Sequence, residues 1–415
     1  MNRITAPARP KLRPIEVRPH AHNGQTYFML RDPLELRDGS LLLPQPFAAA
    51  LSLFDGTRTV EEIAAVFALR FGVPLEPALV EQLVEAVDEA CLLENERSFA
   101  AHKQKTESYR QEPFRPARLA GLGYPQDPAQ LFGLIESYLA PFPPVSATAN
   151  STPAVTAGWF GLLSPHIDYP RGGPVYAQVW QQAADEIRSA DLVILLGTDH
   201  NGDDPFTLTR QNYATPYGVL PTAQGAVDAV VDVIGEEAAF AGELRHINEH
   251  SLELVAVWLH HMRRGEPVEM VPILVGSLYR HIWGDSSPEE DRQIDDVLAA
   301  LSAAGHGRRV AVVASGDMSH VGAAFGGDPL DDEARARVRQ DDENLIAAMR
   351  RGSASDFFDL IRSARDRNNV CGVTPIYLML RLLGDDVRGE LHGYASCPAD
   401  AEDASAVTVC GMVFR

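Results

Sequence analysis

Three apolar runs of strand length each leave into a polar cluster that contains a histidine, and this repeated design constrains the fold more than any other feature of the chain. TAGWFGLLS runs into Pro165-His166-Ile167-Asp168-Tyr169, DLVILLG into Thr198-Asp199-His200-Asn201, and RRVAVVAS into Gly316-Asp317-Met318-Ser319-His320. Uninterrupted apolar strands are buried on both faces, which is the habit of parallel sheets covered by helices. The intervening segments supply those helices. Tyr176–Ala190, EHSLELVAVWLHHM, DDENLIAAMR, ASDFFDLIRSARD and GVTPIYLMLRLLG carry helical spacing, VEMVPILVG reads as a further strand, and VTVCGMVF as a last one. Strands alternating with helices predict an α/β domain with a mostly parallel central sheet and flanking helices. Ligands of such sheets bind outside the carboxyl ends of the strands. The three clusters therefore predict one shared site, with His166, His200 and Asp317 in a single cleft.

The first part of the chain has a different grain. TYFMLRDPLEL and GSLLLPQP read as short strands about the Arg37-Asp38-Gly39 turn, and Thr59 with Glu62 forms a capping box ahead of a first helix. LEPALVEQLVEAVDEACLL is a second helix. Residues 1–105 are expected to form a small winged-helix-like module without a basic recognition face, either a peptide- or protein-docking unit or a scaffolding cap. Residues 106–150 are expected to be a proline-rich linker region with one helix, AQLFGLIESYLA, and 151–415 the α/β domain.

The bulk properties narrow the function classes. Lysine and arginine total 36 against 57 acidic residues, a net charge of −21, which argues against a nucleic-acid partner. No apolar run approaches membrane-spanning length and no signal peptide is expected, so the reading is a soluble cytoplasmic protein without a membrane partner. Four scattered cysteines do not make a disulfide scaffold. The phosphate loop, the Rossmann glycine fingerprint, HExxH, the nucleophile elbow and Cys-x-x-Cys are all missing from the sequence.

What remains is the histidine set. Neutral imidazole is a good ligand for zinc, iron and copper, and His166 and His200 leave strand ends that could converge on one ion. Asp168 and Asp199 could ligate, orient a histidine, or hold a loop. His250 opens a helix, where it either caps or faces the cleft. Asp317 and His320, three apart around a turn, could form a carboxylate–imidazole pair for moving a proton. Cys371 precedes an apolar helix whose dipole would favour the thiolate, suiting a ligand or a nucleophile; a small buried core residue is the plainer alternative. Cys397, beside Pro398, is expected on a surface loop, and Arg171-Gly172-Gly173-Pro174 could cradle an anion or simply turn into the next helix.

Taken together, Ser164-Pro165-His166, Gly197-Thr198-Asp199-His200, Glu249-His250-Ser251, Pro272–Gly276, Ser315–His320 and Cys371-Gly372-Val373-Thr374-Pro375 resemble, in order and spacing, the motifs of the Memo family, known in bacteria and archaea as AmmeMemoRadiSam system protein B. The resemblance covers roughly Val155 to the C-terminus and implies a fold like that of the class III extradiol dioxygenases, which use non-haem iron. It implies His166, His200 and Cys371 as metal ligands, with Asp317, His320 and His250 as neighbouring catalytic groups. Departures from the family pattern fall at Asp168, Asp199, Asn201 and Val255 and reshape the pocket without touching the implied ligands. The N-terminal module is an addition to the bare family domain and faintly resembles the small peptide-binding domains that accompany radical-dependent peptide modification.

The expected function is that of a metal-binding protein with one transition-metal ion, iron or copper, with zinc as a possible occupant. As an enzyme it would carry out redox chemistry on a small molecule or peptide. The alternative is a non-enzymatic metal carrier or peptide-binding adaptor, partnering a radical SAM enzyme, and the third is a zinc-dependent hydrolase.

Overall fold

The computed structural model describes residues 6–22, 24–142 and 158–415. It divides into two compact units, Met1–Glu112 and Pro113–Arg415.

In the first unit, strands β1 (Glu16–His22), β2 (Gln25–Arg31) and β3 (Leu41–Pro44) form an antiparallel meander, with β1 absent from the sequence reading. Helices Val60–Phe71 and Pro77–Glu89 follow, as their apolar spacing predicts. The capping box forms: the Thr59 hydroxyl accepts the Glu62 N–H at 3.3 Å, and the Glu62 carboxylate accepts the Thr59 N–H at 2.8 Å. Leu30, Phe54, Ile63, Phe67, Val80 and Val84 bury their side chains in one core. The polar stretch after Ser98 is not linker at its start. Glu96–Gln111 is a helix, capped by Asn95 and burying little beyond Ser98 and Tyr109, so no apolar stripe announces it.

The second unit begins well before residue 151. Helix Pro128–Leu139 lays Leu131, Ile135 and Leu139 into the same core as Leu162, Tyr176 and Trp180, which makes it part of the α/β body. The proline-rich run at 143–150 and the start of the strand expected from 156 lie outside the described residues.

The remaining strands are β4 (Trp159–Ser164), β5 (Leu192–Thr198), β6 (Thr207–Leu208), β7 (Tyr213–Thr215), β8 (Gly218–Leu220), β9 (Glu269–Val275), β10 (Val310–Ser315), β11 (His320–Gly322), β12 (Gly389–Pro398) and β13 (Ser405–Phe414). Apart from the β7–β8 hairpin they form one eight-stranded sheet in the order β11-β13-β4-β10-β5-β9-β6, with β12 on β13. Its centre, β4-β10-β5-β9, is parallel, and the flanking pairings are antiparallel. Successive strand side chains point to opposite faces. Ile194, Leu196, Val312 and Ala314 accordingly join one core with helices Gln224–Ile234, Arg292–Ala304 and Val373–Leu383. Val193, Leu195, Ala311 and Val313 join the opposite core with helices Tyr169–Gln182 and His250–Met262. Each fully buried aliphatic side chain contributes about 1.5–3 kcal/mol, so both faces must be covered for the sheet to persist.

Two local expectations are corrected. Cys397 is a buried residue of β12 opposite Val407, because Pro398 ends that strand instead of opening a surface loop. Gly172 and Gly173 sit in the first turns of helix Tyr169–Gln182, which starts earlier than Tyr176. A Cβ on Gly173 would meet the Tyr138 ring at 2.5 Å, so that glycine serves close packing at the start of the helix. Among the described residues no helix is long and apolar enough to cross a membrane.

Candidate metal centre

Strand register builds the site. Ser315 of β10 lies opposite Ser164 of β4 and Gly197 of β5, so these strands end side by side. His166, His200 and Asp317 each stand two residues beyond their strand's last residue, Ser164, Thr198 and Ser315, and arrive at one place. Cys371 reaches them from the turn before helix Val373–Leu383. Its Sγ lies 3.2 Å from His166 Nε2 and accepts the Asp317 N–H at 3.3 Å. Ligand atoms of His166, His200 and Cys371 all fall within 4.8 Å of one another, and so do those of Asp317, His320 and Cys371.

The approach of the Cys371 turn to β10 needs two glycines. A Cβ on Gly316 would lie 2.5 Å from Gly372 Cα, a backbone overlap that no side-chain rotation relieves. Gly316→Ala is expected to separate Cys371 from Asp317 and weaken metal binding about tenfold or more, a loss comparable to that of removing a group that orients a ligand. Zinc titration of the variant checks this; unchanged affinity would show that the contact is dispensable.

Hydrogen bonds decide which ring nitrogens face the centre. The Ser315 hydroxyl donates to the Ser251 carbonyl at 2.6 Å, so at 3.3 Å it accepts from His166 Nδ1–H and leaves the Nε2 lone pair toward Cys371. His200 Nδ1 donates to Glu249 Oε1 at 3.0 Å, which leaves its Nε2 for the centre. Glu249 is the residue that sequence reasoning missed. Its side chain is 1% exposed, and it also accepts the His200 N–H and Ser251 N–H and pairs with His250 Nδ1 at 3.1 Å. An acidic residue ahead of a helix looks like an ordinary cap, and it does cap His250–Met262; glutamate is nevertheless not among the favoured caps, which was the available signal. His250 is the first helical residue and turns its ring into the cleft. It stacks on His200 with centroids 4.7 Å apart and meets His166 edge-on at 5.2 Å.

Burial and neighbouring charge set the protonation states. Burial, reinforced by His200 and His250, holds His166 well below the ordinary histidine range and hence neutral. Burial also disfavours the His200 cation, yet Glu249 and Cys371 outweigh it and push His200 well up. Glu249 is lowered in turn, burial being overcome by His200 and His250. Burial raises the Cys371 thiol, with the His200 bond pulling partly back, so desolvation prevails over any helix-dipole preference for the thiolate. Asp317 is raised by burial against the pull of His320 and of the His166 N–H, which it accepts at 2.8 Å. His320 is lowered by burial against the pull of Asp317.

The chain leading to Cys371 is strained. Arg365, Asp366 and Asn369 all have positive φ, between 46° and 51°. Asp366 Oδ1 accepts the Val370 N–H at 2.9 Å, while burial pushes its carboxyl up to about 6 from an ordinary 3.8. A folded-state value above the unfolded one means stability is lost as pH rises from about 4 through 6. Asp366→Asn keeps the accepting oxygen, suits positive φ better, and removes the charge. It is expected to stabilise by about 1–2 kcal/mol at pH 7.5, after discounting for partial exposure, and by nothing at pH 4. Urea unfolding at the two pH values measures this, and equal effects at both would refute it.

A family model described as Memo-like protein matches residues 115–413. The chain belongs to the Memo family. The match starts at Arg115, upstream of the Val155 at which the motif resemblance begins, in agreement with the body of the α/β unit. A MEMO1 family protein of Aquifex aeolicus is 27% identical over 98% of this chain and 100% of its own length, so the N-terminal unit of this Memo chain has a counterpart there. MEMO1 family proteins of Thermus thermophilus and Archaeoglobus fulgidus are 28% and 26% identical, covering 71% and 72% of this chain and 81% and 99% of their own lengths.

Asp199 and Asp168 are both committed to structure. Asp199 pairs with Arg245 at 2.6 Å and accepts the Asn201 N–H, while Asp168 caps helix Tyr169–Gln182 and pairs with Arg171. Val255 is buried in the core.

Proposed function

We propose that this chain holds one transition-metal ion through His166, His200 and Cys371 and performs redox chemistry on a small molecule or peptide. The observation that carries the reading is the convergence of two imidazole nitrogens and one thiol within 4.8 Å, with the far nitrogen of each imidazole already donating to the protein. Two imidazoles and a soft sulfur suit iron or copper, with zinc as an alternative occupant. A bound ion would supply Lewis-acid and one-electron chemistry at the cleft. Around it, His320, kept neutral by burial, would accept a proton, and Asp317, with an oxygen within 4.8 Å of it, would pass the proton on. His250, with a side chain 40% exposed, stands on the solvent side of the cleft. No aspartate or glutamate is needed among the ligands, which distinguishes this donor set from the two-histidine, one-carboxylate facial triad.

A second reading is a metal carrier or peptide-binding adaptor in the cytoplasm, working beside a radical SAM enzyme. It is favoured by the thiol, which prefers Cu(I), and it takes the three-stranded meander and the helices that follow it as a docking unit for a peptide. A zinc-dependent hydrolase is the third reading. Elemental analysis of the purified chain followed by oxygen-uptake measurements with a reductant separates them. Iron or copper with uptake supports the enzyme, iron or copper without uptake the carrier, and zinc alone the hydrolase.

A further inference from the structure

A cavity of about 240 Å³ opens directly onto the centre, lined by His200 and Cys371 together with Gly276, Ser277 and Thr374. The last three residues also line a second cavity of about 480 Å³, so the two share a wall and a rim. The floor of the larger one is the hydrophobic core itself: Phe206, Leu278, Ile294 and Leu378 each present an otherwise buried side chain to it. Among the described residues its one cationic lining residue, Arg280, is paired with Asp291, and Asp203 stands at its edge, an arrangement that does not favour a negatively charged ligand. Tyr279, 62% exposed, lines this cavity from the short helix Tyr279–Trp283, while the Trp283 ring, 5.8 Å away, lies under the Arg365 guanidinium. A tyrosine left in water at the wall of an apolar cavity that adjoins a reactive centre marks a place where a ligand is expected to cover it.

We propose that the substrate is an amphipathic small molecule, with a metal-binding polar head at His200 and Cys371 and an uncharged apolar body of roughly six to ten carbon atoms in the larger cavity. The body passes over Gly276 and Ser277 and lies against Tyr279. Gly276 itself is fixed by close packing, since a Cβ there would meet the Asp204 carbonyl at 2.5 Å. The head of this proposal rests on the metal reading above; the body does not.

Three probes separate the two parts on the zinc-loaded full chain. Acetohydroxamate offers a metal-binding head alone, 4-phenylbutan-1-ol an apolar body alone, and 4-phenylbutanohydroxamate both. The expected result is that the long hydroxamate binds about tenfold or more tighter than the short one, the gain of burying its phenylpropyl group. Ser277→Phe, which puts a ring at the shared rim, is expected to remove that gain, so that the two hydroxamates bind alike. Tyr279→Ala, an exposed position where folding is not at risk, is expected to reduce it. Equal affinity of the two hydroxamates in the parent would overturn the apolar subsite. If neither hydroxamate binds while phenylbutanol still does, and Ser277→Phe abolishes it, the metal reading fails and takes the head of the proposal with it. If none of the three binds, the whole proposal falls.

Discussion

Alanine in place of His166 or His200 is expected to empty the metal centre. On the proposed coordination each removes one of three protein donors, and the two that remain are expected not to hold a transition-metal ion against water. Cys371→Ser keeps the size and loses the soft sulfur, so affinity is expected to fall by about a hundredfold or more, most steeply for copper. Asp317→Asn and His320→Ala are expected to keep most of the metal and to impair turnover, because they hold protons beside the ligands. Metal uptake by the parent is expected to release protons near neutral pH. The Cys371 thiol is raised by burial and the His200 cation is held by Glu249, so both must shed a proton on binding, and affinity rises with pH. Elemental analysis of variants prepared in parallel, with calorimetry in buffers of different ionisation enthalpy, tests the set. Parent-like metal content in all three ligand variants would mean that the cluster is a hydrogen-bonded substrate or anion pocket.

Glu253→Ala is expected to destabilise the α/β unit by about 3–5 kcal/mol, the scale for stripping one partner from a buried ion pair. Arg115 is 0% exposed and pairs with Glu253, and it also donates to the carbonyls of His246 at 2.7 Å, Ile247 at 3.0 Å and Glu249 at 3.1 Å. Glu253 in turn accepts the Leu119 N–H at 2.7 Å, the Arg118 N–H at 3.1 Å and the Tyr124 hydroxyl. The alanine variant leaves a buried guanidinium charge and two backbone donors without their acceptor. The turn that Arg115 grips carries Glu249, so metal affinity is expected to fall alongside stability. Arg115→Lys offers a point charge where a planar fork is used and is expected to behave similarly. Denaturant unfolding monitored with metal titration reads both effects; a loss under about 1 kcal/mol for Glu253→Ala would show that the cluster is not a keystone.

These two predictions mark the boundary between what was legible and what was not. His166, His200 and Asp317 could be read because each lies a fixed two residues past an apolar strand, and parallel strands in register must deliver such residues to one edge. Cys371 came into the set through the motif resemblance, since nothing local separates a ligand thiol from a core thiol. Helix Glu96–Gln111 was invisible because its stability comes from a cap and a few buried side chains rather than from a stripe. Cys397 was misplaced because a proline next to a strand-forming residue also marks the end of a strand.

Local pattern thus determined the α/β layering, the parallel centre and the edge at which chemistry gathers, because hydrophobic periodicity and strand exits are properties of neighbouring residues. Only the tertiary structure decided which nitrogens face the centre, that burial raises the Cys371 thiol, and that Arg115 holds the Glu249 carbonyl from far along the chain. Those outcomes depend on desolvation and on hydrogen-bond partners brought from other elements, and neither exists until the two cores close around them.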